Sequence, residues 1–99
     1  MEREQNSCLP TAIAFKQGLS KHGVWSEVVR YSWKDESGKT KSHAVTAYLY
    51  PIGKNQLWTY DYMGSYRIRA YTNQVHNVAQ LSHWNRGNPE TTFNAEYLK

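Results

Sequence analysis

Two short runs around one turn constrain this chain more than anything else in it. Ser42 to Tyr50 reads SHAVTAYLY, and Gln56 to Asp61 reads QLWTYD. Between them, Pro51-Ile52-Gly53-Lys54-Asn55 has the composition of a tight turn. Both flanking runs are rich in β-branched and aromatic residues, so the stretch predicts a β-hairpin. In the first strand His43, Val45, Ala47 and Leu49 share one face, and Ala44, Thr46, Tyr48 and Tyr50 share the other. In the second, Leu57, Thr59 and Asp61 share a face. A hairpin cannot bury a face alone, so the rest of the chain must supply the layers that cover it.

Upstream, Val24 to Trp33 (VWSEVVRYSW) predicts another strand, and the polar Lys34–Thr40 segment with Gly38 predicts the loop that joins it to Ser42. Downstream, Met63-Gly64-Ser65 turns the chain into a further strand, Tyr66–Tyr71. Two helices flank this meander. In the first, Asn6 or Ser7 can cap, Pro10 fits the first turn, Leu9, Ala12, Ile13 and Leu19 recur at helical spacing, and Gly23 is the stop. The second is capped by Thr72 and runs to about Trp84, with Val75, Val78 and Ala79 as its apolar stripe. Arg86-Gly87-Asn88-Pro89 ends it, and 85–99 reads as a mostly polar extended tail. Ninety-nine residues suffice for one modest core, so 1–99 is expected to be a single α+β domain. In it, an N-terminal helix packs on an antiparallel sheet of about four strands, followed by a C-terminal helix.

Composition narrows the function classes. Twelve Lys and Arg against eight Asp and Glu leave a formal charge of +4, which permits an anionic partner without requiring one. The basic residues are scattered and form no stripe. A basic nucleic-acid binder, with Trp25, Tyr31, Trp33, Tyr48, Trp58 and Tyr60 as stacking surfaces, therefore ranks last among the readings. The single cysteine, Cys8, excludes an intrachain disulfide, so the fold does not depend on an oxidising compartment. Nothing reads as a signal peptide or a membrane span. The cytoplasm is the default compartment, with secretion open if the chain is an excised domain. His76 and His83 are spaced to share a helix face, but no further ligand completes a zinc set, and no metal or other cofactor is expected.

Chemistry concentrates elsewhere. A thiol at the mouth of a helix feels the positive end of the dipole and the free N–H groups, which favour thiolate. Its base would be a histidine, held in turn by a third group. If Tyr50 sits opposite Gln56, then Val45 faces Asp61, and His43 becomes Asp61's diagonal neighbour at roughly 7–8 Å between backbones. If the turn tightens so that Leu49 faces Asn55, His43 lies directly opposite Asp61. A one-residue slip would send the two side chains to opposite faces.

The motifs NSCLPTAxAF at Cys8, SHAVTAY at His43 and WTYD at Asp61 together resemble the papain-like cysteine peptidase superfamily. The nearest branches are its compact bacterial ones, the peptidase C39-like and transglutaminase-like cysteine proteinases. The resemblance spans Gln5 to about Tyr71, and the order Cys, His, Asp matches. It implies that Cys8 is the nucleophile, His43 the general base and acid, and Asp61 the residue that orients His43. The substrate would be a peptide or protein, cleaved or transferred at a peptide, isopeptide or other amide bond. These families place an oxyanion-hole glutamine upstream of the cysteine. Here Glu2 stands near that place and Gln5 is the nearest amide donor; Leu9 replaces the usual glycine after the cysteine. A catalytically silent binding module of the same fold is the alternative. A second copy or an additional domain could complete a cleft that so short a chain leaves shallow.

Overall fold

A computed structural model describes residues 2–54, 56–68, 72 and 74–98; for 2–8 it describes the helical backbone without the side chains. The chain forms an α+β domain with the order α1 (Glu2–Ser20), β1 (Ser26–Lys34), β2 (Thr40–Leu49), β3 (Leu57–Asp61), β4 (Gly64–Ile68), α2 (Val75–Asn85) and β5 (Phe93–Leu98). The strands make one antiparallel sheet in the order β4-β3-β2-β1-β5. Asn55 of the hairpin turn and Arg69–Tyr71 of the expected fourth strand lie outside the described residues.

The helices cover opposite faces of this sheet. Alternation on the strands sorts the residues: Val29, Tyr31, Val45, Ala47, Leu57 and Ile68 form a core under Val78 and Ala79 of α2. On the reverse side Ala12 of α1 packs with Val28 and Ala44, and Leu9 and Leu98 join them. Phe15 stacks on Tyr60 at 3.9 Å between ring centroids and meets Tyr48 edge-on at 5.3 Å. Thr46, buried mid-strand, donates its hydroxyl to the Ala12 carbonyl at 2.6 Å, fixing where α1 lies along β2. Ile13, expected in the stripe, is 40% exposed instead. Gly23 closes α1 as expected: its φ of 71° is the left-handed conformation that a helix stop needs, while Val24 returns its N–H to the Leu19 carbonyl.

Three boundaries differ from the sequence reading. First, α1 begins at Glu2, so Pro10 and Cys8 lie inside the helix and not at its mouth. Glu2, Arg3, Glu4 and Gln5 are good helix formers, and acidic residues suit the positive end of the dipole. That preference carries the helix back past the proline. Second, α2 starts at Val75 with Gln74 as its cap residue; Thr72 accepts a hydrogen bond from the Gln74 N–H, two residues too early to cap. Third, 93–98 is no tail. It pairs with β1 as an edge strand, with Ala95 and Tyr97 against the core. The pairing is interrupted opposite Tyr31, where Asn94 takes a φ of 53° and makes a bulge. Its polar alternate positions and that bulge hide the strand from pattern reading.

Candidate active site

The β2–β3 ladder runs Thr46↔Tyr60, Ala47↔Thr59, Tyr48↔Trp58 and Leu49↔Leu57, and the Tyr50 N–H meets the Gln56 carbonyl at 3.0 Å. This is the first of the two registers that the hairpin allowed. Continued one step, it sets Val45 opposite Asp61 and leaves His43 diagonal to it. The side chains span that diagonal: His43 Nε2 lies 2.8 Å from Asp61 Oδ2. A carboxylate can only accept, so Nε2 carries the proton and Nδ1 is the ring nitrogen left for other work. His43 is mostly buried, and Asp61 is 2% exposed.

A buried carboxylate needs more than one partner. Asp61 Oδ1 accepts from the Met63 N–H at 2.8 Å, inside the β3–β4 turn. Asp61 Oδ2 accepts a second bond, from Arg86 Nε at 2.7 Å. Arg86 follows α2 directly and is itself pinned. Its guanidinium donates to Thr59 Oγ1 at 2.9 Å and Ser82 Oγ at 2.8 Å, reaches the Thr59 and Gly64 carbonyls, and lies 4.4 Å from the Tyr66 ring centroid. Burial pushes the Asp61 carboxyl up. The His43 hydrogen bond, the Arg86 charge and the Met63 N–H outweigh it and hold the group below the ordinary carboxylate value. His43 therefore faces a fixed, ionised partner.

The pair borders a pocket of about 420 Å³ whose walls include Tyr31, Trp33, Tyr62, Met63 and His83. His83 is 1% exposed, and its Nε2 lies 2.8 Å from Glu90 Oε1. Burial lowers its pKa below the ordinary 6.5, against the pull of Glu90. A histidine whose folded pKa is depressed binds fewer protons folded than unfolded below that value. Stability is then fully present above pH 6.5 and is lost as the pH falls toward the folded pKa. Urea unfolding measured across this window should show stability declining with acid, by at most about 1.4 kcal/mol per pH unit for one proton. His83→Gln should flatten the decline; an unchanged slope would place the proton uptake elsewhere.

Of the four residues singled out in the sequence, the structure brings His43 and Asp61 together. The side chains of Cys8 and Gln5 lie outside the described residues. The backbone of Cys8 sits well inside α1, where the dipole effect expected at a helix mouth has faded. Its neighbour Leu9 packs on the cluster that contains Ala44, the residue after His43. α1 therefore lies along the His43 end of β2, on the face opposite the dyad. His76 is exposed while His83 is buried on Glu90, so these two are not presented as a pair. The aromatics weighed as a stacking platform belong to the sheet: Tyr31 and Tyr48 are buried, Trp33 packs on the core, Tyr60 lies on Phe15 and only Trp25 is openly exposed.

Arg86 and Glu90 were not legible as site residues. Arg86 reads as part of a helix-breaking run, and the one hint is that a buried Asp61 would require a cation. No family model, no curated protein and no solved structure matches this chain.

Proposed function

We propose that this domain is a papain-like thiol hydrolase or acyltransferase acting on a peptide, isopeptide or other amide bond. The observation that carries the reading is the His43–Asp61 pair, held at 2.8 Å beside a pocket, on one of the two registers that put both side chains on one face. In this reading Cys8 attacks the substrate carbonyl and its proton passes to His43, which requires the thiol to reach the dyad around the His43 end of β2 from the opposite face of the sheet. The tetrahedral intermediate collapses as His43 protonates the leaving amine, giving a thioester acyl-enzyme. Water or a second amine then releases the acyl group. Asp61 holds the imidazole and offsets its charge, Gln5 donates to the developing oxyanion, and the reaction uses no cofactor. Among the described residues no helix is long and apolar enough to cross a membrane. The substrate is a peptide or protein, and a second copy or another domain would complete the cleft.

The test compares two reagents on the Cys8 thiol. An electrophilic acyl probe should label it, and Gln5→Ala should slow that acylation by roughly 10²–10³. Alkylation by iodoacetamide should barely change, because it develops no oxyanion. Fast alkylation without acylation would point to a missing hole, with Glu2→Gln as the repair. No reaction with either reagent would leave Cys8 as a structural residue. The second reading, a silent binding module, would then stand. It is favoured by the dyad opening on the sheet face opposite α1.

A further inference from the structure

Asp61 presents two oxygens, and only one of them serves His43. Oδ1 is taken by the Met63 N–H. Oδ2 accepts twice, from His43 Nε2 at 2.8 Å and from Arg86 Nε at 2.7 Å. Two donors occupy both lone pairs of a carboxylate oxygen. The histidine therefore shares its acceptor atom with a permanent cation.

Arg86 is fixed on this oxygen from two elements. Its Nη1 is held by Ser82 Oγ at 2.8 Å on α2 and by Thr59 Oγ1 at 2.9 Å on β3. Both partners are neutral, so among the described residues Asp61 is the one carboxylate that meets it. The other titratable groups around His43 have partners of their own or carry no charge at neutral pH. Lys41 faces Asp35 at 3.9 Å beside the pocket, and His83 on α2 is tied to Glu90 at 2.8 Å. Tyr31 on β1 and Tyr62 after β3 meet the His43 ring edge-on, at 6.0 and 6.4 Å between centroids. The charge that acts on His43 is therefore set by Asp61 and Arg86 together, and the two oppose each other.

We propose that Arg86 is a positioning residue for the dyad: by sharing Asp61 Oδ2 it makes the carboxylate a nearly neutral holder, which orients His43 through Nε2–H yet leaves it a neutral imidazole. Nδ1 then keeps the lone pair that a base needs. Without Arg86 the same carboxylate would favour the imidazolium, which has no lone pair to accept a proton. The use of this arrangement in a reaction rests on the thiol mechanism above; the state of the ring does not.

The test reads the ring and not turnover, in the Cys8→Ser variant of the full chain, so a failure of the thiol mechanism leaves it standing. Imidazole ¹⁵N spectra at neutral pH report which His43 nitrogen carries a proton. In this background the ring should be mostly neutral, with the proton on Nε2. Arg86→Met should raise the ratio of imidazolium to imidazole about tenfold or more, the effect of unmasking one adjacent charge. Asp61→Asn should lower that ratio, because Arg86 is then unmatched. Asp61→Asn/Arg86→Met removes both charges and keeps an acceptor, so it should return toward the starting ratio. Lost packing does not produce opposite shifts that cancel. If Arg86→Met does not fold, the comparison of Asp61→Asn with the double variant isolates the arginine in the same way. A proton on Nδ1 or a mostly charged ring in the starting protein, a ratio unmoved by removing Arg86, or single variants that shift the same way would each overturn the proposal.

Discussion

Asp61→Ala is expected to destabilise the domain by about 3–5 kcal/mol, the usual cost of stripping one partner from a buried ion pair. The residue left behind is Arg86, its side chain 7% exposed, whose other partners are hydroxyls and carbonyls that share its hydrogen bonds but carry no formal charge. His43 loses its holder in the same step. Urea unfolding of the variant measures the loss. Asp61→Asn should cost less, since it keeps the shape and an acceptor oxygen. The double variant Asp61→Ala/Arg86→Met should recover much of the deficit, because it removes the stranded charge. A single-variant loss below about 1 kcal/mol would mean that water neutralises Arg86 and that the clamp is weak. The acid dependence has a definite sign. The Asp61 carboxyl is held below 3.8, so its contribution is present above that value and is lost as the pH falls through the folded pKa.

His43→Ala should slow acylation of Cys8 by roughly 10²–10⁴, the range supplied by a positioned general acid–base. The reason is geometric: Asp61 holds the ring through Nε2, which in the proposed mechanism leaves Nδ1 to act as the base. Stopped-flow acylation with the electrophilic probe reads the effect, with circular dichroism to show that the fold persists. Asp61→Asn should fall between the parent and His43→Ala, because an amide can still orient the ring but does not balance its charge. An acylation rate that survives His43→Ala would remove the histidine from the mechanism and with it the proposed hydrolase.

The site was readable where it is local and obscure where it is not. His43 and Asp61 sit on one hairpin, and period-two alternation with one turn leaves few registers, of which the structure takes one. Val78 and Ala79 were likewise visible as the buried stripe of α2. Arg86 reaches Asp61 from another element, and among twelve basic residues no local rule selects it. His83 and Glu90 meet across the break after α2, which the sequence shows only as a stop. β5 is hidden because Phe93–Leu98 is an edge strand interrupted by the polar Asn94 and Glu96, with a bulge at Asn94. At α1 the proline dominated the reading, although the residues before it favour helix.

The hairpin that joins His43 to Asp61 also has a kinetic meaning. β1 to β4 pair in chain order, each with its successor, so their contacts close short loops and need little search. β5 must find β1 from the far end of the chain, and the Arg86 clamp needs α2 already laid on the sheet. The histidine and the carboxylate are thus brought within reach early, as soon as one turn zips, and the arginine that locks them is added late. Loop-closure cost therefore favours an order in which the dyad aligns before its buried charge is balanced.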